Sequence, residues 1–153
     1  MDEQAEADFI WPDLTERPAM TVVERQMQAR PSALYGAFTE GWERWFAVPG
    51  RARIDVGVGR PFFWETEHAG RRHPHYGRFL KLVPDRQVQL TWVTGAAGTE
   101  GAETVLTVDL APSGDGTRLR LTHAGFYQQY TADLTGAAWR DHVLPALDTK
   151  IPS

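Results

Sequence analysis

The stretch YGRFLKLVPDRQVQLTWV, residues 76–93, decides the fold. It reads as two short apolar segments joined at Pro84-Asp85-Arg86, a turn-forming tripeptide, and so predicts an antiparallel hairpin. In its second arm Val88, Leu90 and Trp92 alternate with Gln89 and Thr91, and successive side chains of a strand point to opposite faces. One face of the hairpin is therefore apolar and carries a tryptophan. The question for the rest of the chain is whether that face meets only a core of its own or also a ligand.

The period of two continues on both sides of the hairpin. It begins after Pro49-Gly50 and runs to residue 124, with turn signals at VGVGR, HAGRR, VPDR, TGAAGTEG and PSGDG. This predicts a meander of about six strands. Leu106, Val108 and Leu110 share a face, as do Leu119, Leu121 and His123. The opposite face carries Gln89, Thr91, Thr107, Asp109, Arg118 and Arg120, so the sheet is expected to have one wet side.

Upstream, Thr21 to Ala29 is β-branched and then alternates, with Val23, Arg25, Met27 and Ala29 on one side; it predicts a first strand. Pro31 suits the first turn of a helix, and Leu34, Phe38, Trp42, Trp45 and Phe46 recur at spacings of three and four. Two short helices broken near Gly41 are expected there. From Thr131 to Lys150 the period is again helical, with Leu134, Trp139, Val143, Ala146 and Leu147 on one side. Pro145 is expected to kink this helix, since it lacks an amide donor and crowds the preceding turn. The acidic first eight residues read as a mobile tail, and Phe9, Ile10, Trp11 and Leu14 as an anchor that pins the adjoining segment to the body. Residues 1–18 are thus tail and anchor, and residues 19–150 one domain.

An antiparallel sheet with one apolar face must cover it, and the final helix is the only long element available. The expected architecture is α+β: a curved antiparallel sheet of six or seven strands wrapped around a long C-terminal helix, a helix-grip fold. The two short helices close one end. A bent sheet stands off from a straight helix and leaves a space between them.

Composition narrows the function. The chain has 153 residues, the length of one domain, and its 16 Lys and Arg against 20 Asp and Glu give a net charge of −4. That charge offers no general footing on nucleic acid or anionic membrane. No apolar run approaches the roughly 20 residues needed to span a bilayer. The start MDEQAEAD is acidic where a secretory signal is basic and then apolar, which predicts a cytoplasmic protein. With no cysteine, thiolate nucleophiles, disulfides and Cys-ligated metal are excluded.

The order of elements, together with GRFLKLVPDRQVQLTW, TVLTVDLAPSGDGTRLRLTHAGF and an aromatic-led last helix, resembles the START-like, Bet v 1-like superfamily. Within it the chain is similar to bacterial proteins that resemble the C-terminal domain of the activator of Hsp90 ATPase. The resemblance covers roughly residues 19–150. The family commonly has a Gly-Trp pair opening the helix, whereas here Ala138 precedes Trp139 and Gly136 stands two positions before Ala138. The resemblance implies a helix grip around a central cavity and binding of hydrophobic ligands. Some relatives act as polyketide cyclases or aromatases. It carries no invariant catalytic set.

The candidate ligand-binding set is the inward-facing Phe62, Trp64, Phe79, Val88, Leu90, Trp92, Leu106, Val108, Leu119, Leu121, Trp139 and Val143, with His123 as its polar member. Singly each reads as core. His123 is also the one catalytic candidate, as an acid or base, against the alternative of a structural histidine bonded to backbone. Glu65, Glu67, His73 and His75 lie at spacings of two on consecutive strands. They are read as a solvated rim with cross-strand ion pairs, the alternative being a metal or acid/base cluster. Trp42, Trp45, Tyr127 and Tyr130 are core or mouth residues. Ser113 lies in the PSGDG turn without a nucleophile-elbow pattern, so Ser/His/Asp hydrolysis has no support. No metal and no cofactor are expected. The expected partner is a small lipophilic molecule; a cyclase, aromatase or hydrolase acting on a similar ligand, and a co-chaperone acting on Hsp90, are the alternatives. A homodimer through the segment around Trp11 is left open.

Overall fold

The computed structural model describes residues 10–96 and 98–151. The tail expected over residues 1–8, and Phe9, lie outside the described residues. The first strand, β1, is Ala19–Met27, two residues earlier than its β-branched run suggests. Helix α1, Pro31–Ala37, opens with proline in its first turn, where the missing amide costs no hydrogen bond. The second expected helix is a 3-10 turn, Trp42–Arg44, which begins directly after Gly41. Six strands follow: β2 Arg53–Ile54, β3 Pro61–His68, β4 Arg71–Val83, β5 Gln87–Trp92, β6 Thr104–Ser113 and β7 Gly116–Phe126. The C-terminal helix consists of α2 Gln129–Ala138, a π turn Trp139–Val143, and α3 Leu144–Lys150.

The seven strands form one antiparallel curved sheet in the order β1-β7-β6-β5-β4-β3-β2. Its hairpins turn where the sequence signals them. His68 pairs with Arg71 across a two-residue turn in which Ala69 and Gly70 both take positive φ, as a tight hairpin requires. The β4–β5 turn places Asp85 at φ 63°. Register then brings Val88 opposite Val108, Leu90 opposite Leu106, and Val108 opposite Leu121. All five are fully buried in one core cluster together with residues of the cap, the segment 30–47 that holds α1 and the 3-10 turn, and of the C-terminal helix. The other face is polar: Gln87 Nε2 donates to Asp109 and Gln89 Nε2 to Thr107.

Four local expectations need correction. Thr91, placed on the wet face, is buried, with its hydroxyl accepting from the Arg78 amide at 2.9 Å and its strand packed against Gly77, where a side chain would overlap it. A bulge between Phe79 and Lys81 breaks the alternation and buries both Phe79 and Leu80. Of the expected anchor, Ile10 and Trp11 are largely exposed while Leu14 lies against Gly125, and Arg17, not foreseen, donates to the carbonyls of Gly125 and Glu103 at 2.9 Å each. Leu134 is 56% exposed, because the buried stripe of the helix runs through Ala132, Gly136 and Trp139 and then Leu144 and Leu147.

The last two buried positions reflect the π turn. The disturbance expected at Pro145 takes the form of a wider turn just before it, in which the Leu144 amide donates to the Trp139 carbonyl. This shifts the buried stripe by about one residue and brings Leu144 inward.

Gly136 sets the distance between helix and sheet. A Cβ there would overlap Thr21 Oγ1 on β1, so the helix lies against the strand only because position 136 has no side chain. Gly→Ala inside a helix ordinarily stabilises by about 1 kcal/mol. Here Gly136→Ala is expected to destabilise by about 1–3 kcal/mol through overpacking, and Thr21→Ala in the same chain should recover most of the loss. Denaturant unfolding of the two single variants and the double variant measures that coupling.

Candidate functional site

The end of the grip nearest the cap is built almost entirely of rings. Trp92 closes β5 and lies 5.7 Å from Trp64 on β3, 5.4 Å from Trp42 and 5.8 Å from Phe46 on the cap, and 5.7 Å from Trp139 on the π turn, centroid to centroid. Three further contacts form a near-parallel series. Trp45 stacks on Trp42 at 5.1 Å, Trp42 on Trp64 at 4.5 Å, and Trp64 on Phe62 at 4.5 Å, with interplanar angles of 21–26°. Phe62 and Trp64 are two apart on β3 and so share its inner face. Trp42 and Trp45 come from the cap.

Polar groups in this interior are few. His123, on β7, is fully buried. Its Nδ1 accepts from Trp139 Nε1 at 3.3 Å, and its Nε2 lies 2.8 Å from Thr104 Oγ1. The Thr104 hydroxyl proton is committed to the Trp92 carbonyl, so His123 Nε2 carries the ring proton and donates to Thr104. Both nitrogens of the ring are thereby engaged by the protein. Burial alone holds this imidazole neutral, with its pKa pushed down to about 3. The acid or base role considered for His123 has no free nitrogen to work with unless this network opens.

His75 is a second inward histidine, and the hairpin register explains why. It pairs with Trp64, so it shares the inner face, while Glu65 pairs with Pro74 and Glu67 with Arg72 on the outer face. The four residues Glu65, Glu67, His73 and His75 therefore do not converge, and no group of His, Asp and Glu among the described residues is placed to hold a metal ion. The carboxylates form the rim of ion pairs instead, Glu67 to Arg72 at 2.9 Å and Glu65 to Arg51 at 3.5 Å. His75 stands edge-on to Trp92 at 5.2 Å and to Phe46 at 5.5 Å, 8% exposed. Its Nδ1 faces the His73 carbonyl at 3.0 Å, which makes Nδ1 the donor and Nε2 an acceptor. Burial lowers its pKa to about 4, against the raising effect of that hydrogen bond.

Among the described residues three buried side-chain donors are left over, Arg25 Nε on β1 and two indoles of this interior. The indole N–H groups of Trp42 and Trp64 are buried without a hydrogen-bond partner among the described residues, whereas Trp45 Nε1 donates to the Ala37 carbonyl at 2.9 Å. Buried polar groups are almost always paired, so two orphan donors on rings in van der Waals contact mark this spot. The sequence singles out neither indole for its N–H, because pairing of a Trp N–H depends on neighbours that periodicity does not reveal.

Of the expected ligand set, Phe62, Trp64, Phe79, Val88, Leu90, Trp92, Leu106, Val108, Leu119, Leu121 and Trp139 lie in one buried cluster, with half-buried Val143 packed against it. The set divides in two. The aliphatic members line the middle of the sheet, and the aromatic ones gather at the cap end beside His75 and His123. An open groove of about 610 Å³ lies where the β4–β5 and β6–β7 turns meet the start of α1, lined by Arg30, Pro31, Ser32, Asp85, Arg86 and Asp115 among others, and contains none of the expected set. Among the described residues no helix is long and apolar enough to cross a membrane.

A curved antiparallel sheet closed on a C-terminal helix over such an interior defines a START-like, helix-grip protein. The chain belongs to the family described as activator of Hsp90 ATPase homolog 1-like protein, which matches residues 28–149. Similar solved structures include protein CV1439 from Chromobacterium violaceum, with TM-score 0.72 and 22% identity over 89% of this chain and 99% of that one. Protein Mll3558 from Rhizobium loti gives 0.70 and 25%, over 86% and 96%. PFC0360w, an HSP90 activator from Plasmodium falciparum, gives 0.66 and 18%, over 86% and 94%. No curated protein matches the chain.

The two neutral histidines make stability depend on acid. Each has a folded-state pKa below the ordinary 6.5, so between those values the unfolded chain binds more protons. Their contribution is complete above about pH 6.5 and is lost as pH falls through the range toward 4 for His75 and 3 for His123. Urea unfolding at a series of pH values is expected to show this decline. His75→Gln and His123→Gln, whatever their overall stability, should each have a shallower decline over that window.

Proposed function

We propose that the protein binds a small lipophilic molecule bearing a hydrogen-bonding oxygen, held between the curved sheet and the C-terminal helix at the aromatic end. The observation that carries this reading is the pair of buried, unpartnered indole N–H groups of Trp42 and Trp64. Leaving a buried donor unpaired costs about 1–3 kcal/mol, and a ligand oxygen removes that cost while ring faces take up its apolar body. His75, at the edge of the same ring cluster, supplies an acceptor. His123 serves the site indirectly, by tying Trp139 to β6 and β7 so that the far wall stays in place. The inward set named from the sequence is retained as the lining, with Leu121, Val108 and Leu119 beneath the aromatic end.

A cyclase or hydrolase acting in the same interior needs an acid/base group free to exchange a proton with substrate. His75 Nε2 is the group in reach for it, and no partner that would relay the proton stands beside it among the described residues. The binding reading is therefore preferred. An Hsp90-directed role rests on the family's description and on the Plasmodium protein's being an HSP90 activator, at an identity that carries fold and not partner.

The test uses N-phenyl-1-naphthylamine, an apolar probe whose emission rises when it leaves water. Saturable binding is expected at one site per chain, with a rise in melting temperature that grows with probe concentration, as follows from binding the folded state alone. Leu121→Trp, which enlarges a buried side chain of the proposed lining, should weaken that binding in a chain that still melts cooperatively. Absence of any saturable signal with this probe and with a set of neutral lipophilic ketones would overturn the proposal.

A further inference from the structure

We infer that the outer face of β2, β3 and β4 is a platform for single-stranded nucleic acid, on which bases stack against Phe63 and Tyr76 while arginines at its margin hold the phosphates. The interior site lies on the other side of the same strands, so this inference goes beyond the proposed function and does not depend on it.

The platform follows from alternation and register. Phe62 and Trp64 are buried in the core, so Phe63 between them points outward. Tyr76 stands directly opposite Phe63 on β4 and shares its face. The two are 38% and 50% exposed, high values for rings in the body of a sheet. Pro61 lies two residues before Phe63 and Pro74 two before Tyr76, on the same face and also exposed. Apolar rings therefore cover this part of the outer surface, whereas the outer face of β5 and β6 carries the paired side chains of Gln87, Gln89, Thr107 and Asp109. Beyond the rings β2 has only two residues, so the platform reaches the edge of the sheet.

The net charge of −4 hides an uneven distribution. Residues 51–86, which hold β2, β3 and β4, carry half of the chain's 16 Lys and Arg but only four of its 20 Asp and Glu. The chain as a whole has no electrostatic footing on nucleic acid, but this region has one. Arg53 is exposed, stands opposite Phe63 on β2, and makes no ion pair among the described residues. Arg78 stands opposite Pro61, with Glu103 at 3.8 Å, and Arg51 reaches Glu65 at 3.5 Å. Exposed ion pairs this long contribute little, so a phosphate can take the carboxylate's place.

The rings decide which anionic partner fits. A base offers its π face to an aromatic side chain on a sheet, and each stack adds to the hold of the phosphates. An acidic peptide satisfies the arginines but brings no π face to Phe63 and Tyr76. An anionic bilayer repels Glu65 and Glu67, which lie on this same face. In a duplex the base faces are already covered by neighbouring pairs, so the partner is a single strand.

Fluorescence anisotropy with labelled oligothymidylate and oligouridylate of about twelve nucleotides tests the inference. Saturable binding in the micromolar range is expected at low salt, weakening as salt rises. Phe63→Ala and Tyr76→Ala, both at exposed positions, should each weaken it about fivefold or more, the scale of one lost base stack. Arg53→Ala should flatten the slope of log Kd against log salt by about 0.7, the contribution of one phosphate on a single strand. A duplex of the same length should bind more weakly than either single strand. Absence of saturable binding by both oligonucleotides overturns the platform, as does binding that both ring variants leave unchanged or that the duplex matches. Tighter binding to polyglutamate assigns the face to an acidic protein segment instead, and tighter binding to vesicles of phosphatidylcholine and phosphatidylserine assigns it to a membrane surface; either result overturns the inference.

Discussion

Trp92 stands where the three layers of the fold meet, and the rest of the structure is arranged around it. Its ring touches the sheet through Trp64, the cap through Trp42 and Phe46, and the C-terminal helix through Trp139. A tryptophan buries roughly 150–250 Å², and here one ring supplies area to every element that must be held over the concave face. Its position follows from alternation on β5, which puts Val88, Leu90 and Trp92 inside together. The sheet's curvature brings β3 and β4 around to meet it, and the helix closes from the other side.

The polar groups near Trp92 divide by what they do. One chain of hydrogen bonds runs from the Trp92 carbonyl through Thr104 and His123 to the Trp139 indole, linking β5, β6, β7 and the helix. Every member of it is satisfied, which fixes the helix against the sheet at the π turn. On the cap side satisfaction stops: Trp42 and Trp64 keep N–H groups that are buried and unpaired among the described residues. A fold that pairs its polar atoms on one side of a ring and leaves two unpaired on the other has a rigid wall facing an unfinished one. That asymmetry is what argues for a guest.

Much of the architecture is legible in the sequence because period two and period 3.6 are local properties. The hairpin over residues 76–93, the meander around it and the strand members of the inward set come from alternation and turn signals, Trp139 and Val143 from the helical period, and all members of that set other than Val143 are buried. The misreadings arise where geometry changes the count. The bulge at Phe79 buries Leu80 as well, and the π turn before Pro145 brings in Leu144 while Leu134 points out. Spacing within each strand pairs Glu65 with Glu67 and His73 with His75, but the register between strands is invisible to it; pairing with Trp64 sends His75 inward. Spacing cannot reveal the orphan indoles either, since they are defined by neighbours from the cap, whose packing against β3 no local pattern encodes.

The claim at the centre of this account is that Trp42 and Trp64 await an acceptor. The chain has six tryptophans, each with one indole N–H that gives its own signal in a ¹⁵N–¹H correlation spectrum. Titration with fluorenone is expected to move the signals of Trp42 and Trp64 downfield, saturably and together, as they acquire a hydrogen bond, while those of Trp45 and Trp139, already bonded to Ala37 and His123, hold their positions. A titration in which the Trp42 and Trp64 signals stay fixed, or move no more than those of Trp45 and Trp139, would contradict it.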